Sequence, residues 1–196
     1  MASMSVINIC NIVEEPPTRF AECAKISIGF EVRTVLEITG DDPDSAFLTE
    51  MPVEQPWIKD YDTIEGEGPT NWARRWDVTN WRLLSAYSNG KPIGSCVVAR
   101  DTPGVDMLQG RSDLTAIWDL RVVCHYRRRG IGSQLFKAAV GWARGQKCRE
   151  LHVETQNINV PACRLYQRQG CRLRSIDRFA YQGFLDEIRM IWSLEL

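Results

Sequence analysis

The chain has 196 residues, of which 44% are hydrophobic, and a formal net charge of −1. This length supports one well-packed domain and is short for two. A nearly neutral chain with a pI near 6.2 lacks the basic field that sequence-independent nucleic-acid binding needs, so no nucleic-acid partner is expected. No apolar run approaches the ~20 residues of a membrane span, and residues 1–19 carry no basic region followed by an apolar segment. We therefore expect a cytoplasmic protein with no membrane partner.

Seven cysteines occur at irregular spacing, and none forms a Cys-x-x-Cys pair. Such a set fits reduced thiols in a cytosol better than a disulfide framework. Only His125 and His152 could join them as metal ligands. No zinc-binding spacing can be assembled from these residues, so we predict no metal site.

The first half of the chain reads as strands separated by one long irregular segment. Apolar residues alternate from Ile26 onward and predict a strand that runs to about Thr39. Residues 41–68 are rich in proline, glycine and acids, which argues against a long helix and predicts a long, partly helical excursion. Strands are predicted over 81–88 and 92–100, because Asn89-Gly90 between them is the strongest short hairpin signal. Residues 101–112 are predicted to form a loop.

The second half alternates strands and helices. A strand over 115–123 leads into a basic turn and a helix over 131–144, where apolar residues recur at helical spacing. A short strand over 151–155 precedes a second helix, which Asn159 can cap and which should end near Gly170. Two more strands, over 172–178 and 188–194, close the chain. The predicted order is a β-hairpin, then β, α, β, α, β, β, which is an α/β plan with a mixed sheet.

Charge is distributed unevenly along the chain. From Glu37 to Glu67 there are ten acids and one base, Lys59, whereas from Arg121 to Arg149 there are eight bases and no acid. One interpretation is an enzyme with a polyanionic cofactor beside the basic region and a cationic substrate beside the acidic one. The alternative is that the acidic loops are simply solvated.

The basic turn Arg127-Arg128-Arg129-Gly130-Ile131-Gly132 joins the predicted central strand to a helix start. Free backbone N–H groups at a helix N-terminus bind anions, and glycine lets the backbone approach a phosphate closely. Two other anion motifs are excluded, because Leu135 stands where a dinucleotide fingerprint has glycine and no Gly-Lys-Ser/Thr occurs. The turn therefore predicts a phosphate site of a different type.

The turn has the form Arg/Gln-x-x-Gly-x-Gly and resembles the pyrophosphate-binding loop of the Gcn5-related N-acetyltransferase (GNAT) superfamily. Leu120-Arg121-Val122 resembles the strand segment whose main chain binds the pantetheine arm of acetyl-CoA in that family. Asn159-x-x-Ala162-x-x-x-Tyr166 resembles the family's helix motif, in which the Asn contacts the cofactor and the Tyr lies near its sulfur. Because three motifs agree in order and spacing, the resemblance covers roughly residues 81–196.

A finer resemblance is to the streptothricin (nourseothricin) acetyltransferase branch. It rests on Glu154-Thr155-Gln156, on Ile176-Asp177-x-Phe179-x-Tyr181 and on Glu187-x-x-Met190-x-Trp192. Upstream, Lys59-Asp60-Tyr61 is similar too. The chain departs from the branch at Trp118, where a glutamate is usual. The loss of that carboxylate concerns the identity of the antibiotic substrate and not the acyl-transfer chemistry.

The resemblance implies a single-domain GNAT fold over residues 1–196, with a mixed twisted β-sheet flanked by helices. Residues 26–114 would form the acceptor-side front half, 115–170 the acetyl-CoA-binding core, and 171–196 the closing strands. It also implies acetyl-CoA as co-substrate. The implied cofactor-binding residues are Leu120, Arg121, Val122, Arg127, Arg128, Arg129, Gly130, Ile131, Gly132, Ser133, Asn159, Ala162 and Tyr166.

Amide formation from a thioester needs a neutral amine and a proton for the departing thiolate. An alkyl amine is only about a thousandth neutral at pH 7, so a carboxylate with a route to solvent helps. We expect Glu154 or Asp119 to act as this base, with Glu154 preferred, and Tyr166 to act as the acid. The alternatives are salt-bridged carboxylates and a core tyrosine. Candidate acceptor-binding residues are Tyr61, Asp60, Trp118 and Glu154.

Three functional classes are open at this point. The first is an N-acetyltransferase that moves acetyl directly onto a cationic small-molecule amine, either streptothricin-like or polyamine-like. The second is a protein N-terminal or lysine acetyltransferase, which would need an open groove in place of the acidic excursion. The third is a non-catalytic acyl-CoA-binding sensor. Dimers are common among relatives, so a homodimer is a further expectation, while the packing of residues 1–25 is left open.

Overall fold

The computed structural model describes residues 10–184 and 186–196. The strands are β1 Asn11–Glu15, β2 Phe30–Thr39, β3 Phe47–Lys59, β4 Arg82–Ser88, β5 Lys91–Arg100, β6 Leu114–Val122, β7 Glu150–Gln156, β8 Arg172–Asp177 and β9 Arg189–Glu195. The α-helices are α1 Trp72–Arg75, α2 Ile131–Gly145 and α3 Val160–Arg168. Within the described ranges, no helix combines the length and the apolar character needed to cross a membrane.

Seven strands form one mixed sheet in the order β1-β4-β5-β6-β7-β9-β8, in which only β6 and β7 run parallel. This confirms the predicted α/β plan and the predicted order of its second half. The turn between β4 and β5 also matches its prediction, since Asn89 (φ 50°) and Gly90 (φ 73°) take the left-handed conformation of a tight hairpin.

The sheet is covered on both faces. Neighbouring residues of one strand belong to different cores, as for Leu83 and Leu84 of β4, because successive side chains point to opposite faces. One core packs α2 and α3 against the sheet through Leu135, Phe136 and Tyr166. The other core gathers Phe20, Trp72 and Trp81 with residues of β4, β5 and β6. The central strands are therefore covered on both faces over most of their length, which fixes the geometry of any site built at their ends.

The N-terminal segment packs onto this second core, a point that the sequence left open. Strand β1 pairs with β4 at the edge of the sheet, and a 3₁₀ segment over Pro17–Lys25 buries Phe20 and Cys23. We did not predict β1, because Asn11–Glu15 mixes polar and apolar residues without clear alternation. Residues 1–9 lie outside the described part of the chain.

Residues 41–68 differ from the prediction of a partly helical excursion. The longest element of this segment is β3, a 13-residue strand that pairs with β2 in a separate two-stranded sheet. Pro52 and Pro56 are compatible with β3 because an edge strand tolerates missing N–H donors. Strand β2 begins at Phe30 and not at Ile26, and it docks beside β7 through a backbone hydrogen bond of 2.9 Å from Leu36 N to Asn157 O.

Candidate active site

Strands β6 and β7 separate halfway along their length. Their parallel pairing ends at Ile117 and Val153, although β6 continues to Val122 and β7 continues to Gln156. Beyond that point β6 still pairs with β5, and β7 still pairs with β9, so each has one free edge facing the gap. A cleft of about 1190 Å³ opens between them, which is ample for a small ligand and the arm of a cofactor.

Trp118 stands at the point where the two strands part. Val97 and Val98 of β5 oppose Asp119 and Ile117 of β6, so Trp118 is the extra residue of a β-bulge. Its ring lines the cleft and packs against Trp81 (5.1 Å between ring centroids) and Trp76 (5.9 Å). Trp118 therefore forms part of the cleft wall and joins it to the aromatic core.

The basic turn leads into α2 at the same end of the cleft. Gly130 caps α2 with φ 83°, a left-handed conformation that favours glycine. The first intrahelical hydrogen bond runs from Gln134 N to Gly130 O (3.0 Å), so the N–H groups of 131–133 have no acceptor within the helix. A Cβ on Gly132 would lie 3.4 Å from Leu165, and its absence leaves this helix end open to the cleft. These features are compatible with the pyrophosphate group that the family resemblance implies, and the assignment stays a prediction.

The three arginines of the turn have different surroundings. Arg127 donates from Nε to Val122 O (2.9 Å) and from its terminal nitrogen to Gly29 O (2.9 Å) and Ser27 O (3.3 Å), so it braces the segment before β2. Arg128 is exposed and lines the cleft. Arg129 lies over the Tyr126 ring and is not among the cleft residues. Of the three guanidiniums, Arg128 is the one best placed for a phosphate.

Helix α3 lies beside the start of α2 and lines the same cleft. Asn159 caps α3 by accepting a hydrogen bond from Ala162 N (3.3 Å), which leaves its amide nitrogen available to a ligand. Tyr166 is 5% exposed, packs against Phe136 and lines the cleft. Burial raises the pKa of the Tyr166 hydroxyl well above its usual value, so this group is protonated at neutral pH. The helix thus presents a proton donor to the cleft.

The predicted cofactor-binding residues come together around this cleft with two exceptions. Those that line it are Leu120, Arg121, Val122, Arg127, Arg128, Gly130, Gly132, Ser133, Asn159, Ala162 and Tyr166. Ile131 is buried in the core beneath the turn, and Arg129 points elsewhere. A backbone N–H of Ile131 nevertheless belongs to the free helix end.

The two candidate bases both line the cleft, and burial raises the pKa of both carboxyls, but they differ in their ion pairing. Asp119 is buried and accepts from Arg121 Nε at 2.8 and 3.0 Å, so its charge is already paired. Glu154 also lines the cleft, yet no cation of the described chain lies within ion-pair distance of it. Burial raises the pKa of the Glu154 carboxyl, and the Tyr181 hydroxyl opposes this shift in part by donating to Oε1 at 2.6 Å. Glu154 therefore keeps the capacity to accept a proton.

A hydrogen-bonded network continues from Glu154 along the acceptor end of the cleft. Gln156 Nε2 donates to the Tyr181 hydroxyl (2.8 Å), and Gln156 Oε1 accepts from the Tyr61 hydroxyl (2.8 Å). Tyr61 also lies 3.0 Å from Glu187 Oε2, and Glu187 forms a buried ion pair with Lys59. We did not assign roles to Gln156, Tyr181, Glu187 or Lys59 from the sequence, although all four stand in the motifs of the streptothricin acetyltransferase branch.

Several carboxylates of the acidic segment 37–67 already form ion pairs within the protein. Four of its carboxylates pair with arginines outside the segment, namely Asp41 with Arg178, Glu50 with Arg164, Asp62 with Arg121 and Glu67 with Arg75. Asp60 caps the turn of Tyr61 by accepting from Asp62 N (3.0 Å), and it is not among the cleft residues. Of the four predicted acceptor-binding residues, Tyr61, Trp118 and Glu154 therefore line the cleft.

Comparison with known proteins agrees with this geometry. The sequence model of the Acetyltransferase (GNAT) family matches residues 44–171. A streptothricin acetyltransferase of Streptomyces lavendulae is 27% identical over 160 residues, which are 81% of this chain and 79% of that protein.

Two solved structures show the same fold over nearly their whole length. A nourseothricin acetyltransferase superimposes with a TM-score of 0.72 at 24% identity, over 95% of this chain and 98% of its own. A candidate streptothricin acetyltransferase of Bacillus anthracis, solved with acetyl coenzyme A, gives 0.74 at 22% identity over 95% and 99%. This chain belongs to the GNAT family of acetyltransferases, and its co-substrate is acetyl-CoA.

Proposed function

We propose that this enzyme transfers acetyl directly from acetyl-CoA to a primary amine of a cationic small molecule, with a streptothricin-like antibiotic as the first candidate. The observation that carries the proposal is Glu154, a half-buried carboxylate that faces the cleft and forms no ion pair within the described chain. An ammonium group entering the cleft would supply that partner. The same carboxylate could then take up the proton that the amine must lose.

The residues around the cleft divide the remaining chemistry. Acetyl-CoA, when bound, supplies the acetyl group as a thioester. Tyr166 would protonate the departing thiolate, and its buried, protonated hydroxyl suits that role. The free edge of β6 beyond Ile117 offers backbone N–H groups that would polarise the thioester carbonyl. We favour Glu154 over Asp119 as the base because Arg121 already neutralises Asp119.

The side chains that line the acceptor end of the cleft favour a small molecule over a protein. Phe30 and Glu31 of β2, Tyr61 and Phe184 all line it, so the hairpin and the loop before β9 cover the region that a peptide would need to cross. The streptothricin candidate is supported by the name of the Streptomyces lavendulae relative. Trp118 argues for a difference in how the acceptor is held, since an indole replaces a carboxylate there.

All seven cysteines are free thiols, and six of them are buried. Unpaired cysteines are typical of a reducing compartment, which supports the cytoplasm as the site of action. The homodimer remains a prediction.

Turnover across a panel of amines tests this function. We expect thiol release from acetyl-CoA with streptothricin or a polyamine, and little or none with neutral amines of similar size or with lysine-containing peptides. Acetylated peptides without small-molecule activity would contradict the proposal and would favour a protein acetyltransferase.

A further inference from the structure

Arg121 holds two carboxylates that come from distant parts of the chain. Its Nε donates to both oxygens of Asp119, two residues earlier on β6. Its two terminal nitrogens form a bidentate contact with Asp62, in which Nη1 donates to Oδ2 and Nη2 donates to Oδ1 at 2.9 Å. The side chain of Arg121 is 1% exposed, so its ion pair with the equally buried Asp119 is shielded from water and from salt, whereas the Asp62 end of the second pair reaches solvent.

Charge balance does not require the second carboxylate. Asp119 alone neutralises Arg121, and the side chain of Asp119 is only 3% exposed. Asp62 adds a negative charge at a position that is 27% exposed, and it spans 59 residues of sequence to do so. Paired guanidinium and carboxylate groups fix relative orientation well, so the contact defines where the Asp62 turn lies.

The turn that Asp62 belongs to carries the acceptor-side network. Tyr61–Thr63 is a single 3₁₀ turn, closed by Asp60, which accepts from Asp62 N (3.0 Å) and from the Thr63 hydroxyl (2.7 Å). Because the turn is internally bonded, holding Asp62 also holds the backbone of Tyr61. The Tyr61 hydroxyl then reaches Gln156 (2.8 Å) on β7.

The contacts continue from Gln156 to the candidate base. Gln156 donates to Tyr181, and Tyr181 donates to Glu154. A hydroxyl can accept one proton and release another, but the Gln156 amide cannot. The path therefore orients the side chains and does not transfer protons between them. Its two ends are the central strand of the cofactor site and the carboxylate of the acceptor site.

We propose that Asp62 is a positioning residue, which ties the Tyr61 turn to Arg121 on the cofactor strand and thereby sets the acceptor end of the cleft. The proposal rests on the proposed amine acetyltransferase function. It assigns no contact between Asp62 and acetyl-CoA.

The test uses Asp62→Asn, which keeps the shape of the side chain and removes its charge. Hydrogen–deuterium exchange of the free protein should be at least about tenfold faster across residues 58–66, because one charge-assisted contact is lost. With the amine that turns over, kcat/KM should fall about tenfold through KM, while acetyl-CoA affinity changes less than about twofold. Combined with Tyr61→Phe, the losses should not add, since both variants interrupt one path.

Glu65→Gln is the matched control, because Glu65 is an exposed acid on the same segment and does not line the cleft. It should leave exchange and acceptor KM unchanged, which separates positioning from the general acidic field. Exchange and KM of Asp62→Asn that equal those of wild type would overturn the proposal, as would its failure to fold or a matching loss of acetyl-CoA affinity. Exchange needs no acceptor, so a wrong acceptor class leaves that readout valid.

Discussion

The Tyr181 hydroxyl donates a hydrogen bond of 2.6 Å to Glu154 Oε1 inside the cleft. Tyr181 has its own pKa raised by burial, so it remains a donor at neutral pH. This leaves Glu154 as a carboxylate that is held in place by a neutral group and not neutralised by a cation. The pair therefore combines a fixed geometry with a carboxyl group that forms no ion pair within the described chain.

Glu154→Gln should lower turnover and raise stability at the same time. Turnover should fall by about 10²-fold, and the decline of wild-type activity toward low pH should disappear, because the variant has no base to protonate. The folded state raises the pKa of Glu154 above its ordinary value of 4.5, so wild-type stability decreases as pH rises through the window between the two values. Gln carries no charge and so removes the free-energy cost of burying the carboxylate. The melting temperature of the variant should therefore exceed that of wild type at pH 7 and equal it below pH ~4.

Measuring both the activity and the thermal unfolding of Glu154→Gln distinguishes a catalytic role of Glu154 from a structural one. Unchanged activity would remove Glu154 from the mechanism, whereas reduced activity together with reduced stability at pH 7 would show that Glu154 is a structural group.

Tyr166→Phe should lower kcat by about 10²-fold while leaving acetyl-CoA affinity nearly intact. The ring packs against Phe136 in the core, and phenylalanine preserves that contact. A thiol-release assay gives kcat, and isothermal titration calorimetry gives the affinity for acetyl-CoA. A kcat equal to that of wild type would exclude Tyr166 as the acid.

Arg127 and Arg128 should respond differently to the same change. Arg127→Gln loses contacts to the Val122 and Gly29 carbonyls, so the melting temperature should fall by about 3 °C or more while acetyl-CoA affinity stays within about threefold. Arg128→Gln should instead weaken acetyl-CoA binding by about tenfold at low salt, with little change in melting temperature. The opposite assignment of the two effects would show that Arg127 is the phosphate ligand.

Gly132→Trp should abolish acetyl-CoA binding, because the side chain would occupy the space beside the free N–H groups of the α2 start. Gly132→Ala should still fold, since its Cβ would make only an ordinary contact of 3.4 Å with Leu165. Gly141→Trp is the control, because a Cβ at Gly141 on the exposed face of α2 meets no atom within 4 Å. Retained acetyl-CoA affinity in Gly132→Trp would refute the assignment of this turn.

Local signals predicted the β4–β5 hairpin and the two long helices of the fold. The Asn89-Gly90 hairpin, the Asn159 cap and the apolar period of α2 depend on neighbouring residues, and the structure shows all three. The β2–β3 hairpin was not predicted, and its docking depends on contacts with Asn157 and Arg164, which lie more than 100 residues away. Strand β3 also contains Pro52 and Pro56, which are uncommon inside strands, so its sequence does not indicate a strand.

The site shows the same division. Residues of the family motifs could be named from spacing, whereas the ion pairs that distinguish Glu154 from Asp119 depend on Arg121 and on the fold around it. Both acids stand on strands that border the cleft, so strand periodicity alone could not separate them. The contribution of Asp62 is likewise invisible in sequence, since it reaches Arg121 across 59 positions.

Direct acetylation of a cationic amine is best tested by following both products in one reaction. The enzyme is mixed with acetyl-CoA and streptothricin, free thiol is titrated, and the antibiotic is examined by mass spectrometry. We predict one acetyl group on an amine of streptothricin for each thiol released. Thiol release without acetylated streptothricin, or acetyl-CoA binding with no turnover of any cationic amine, would contradict the account.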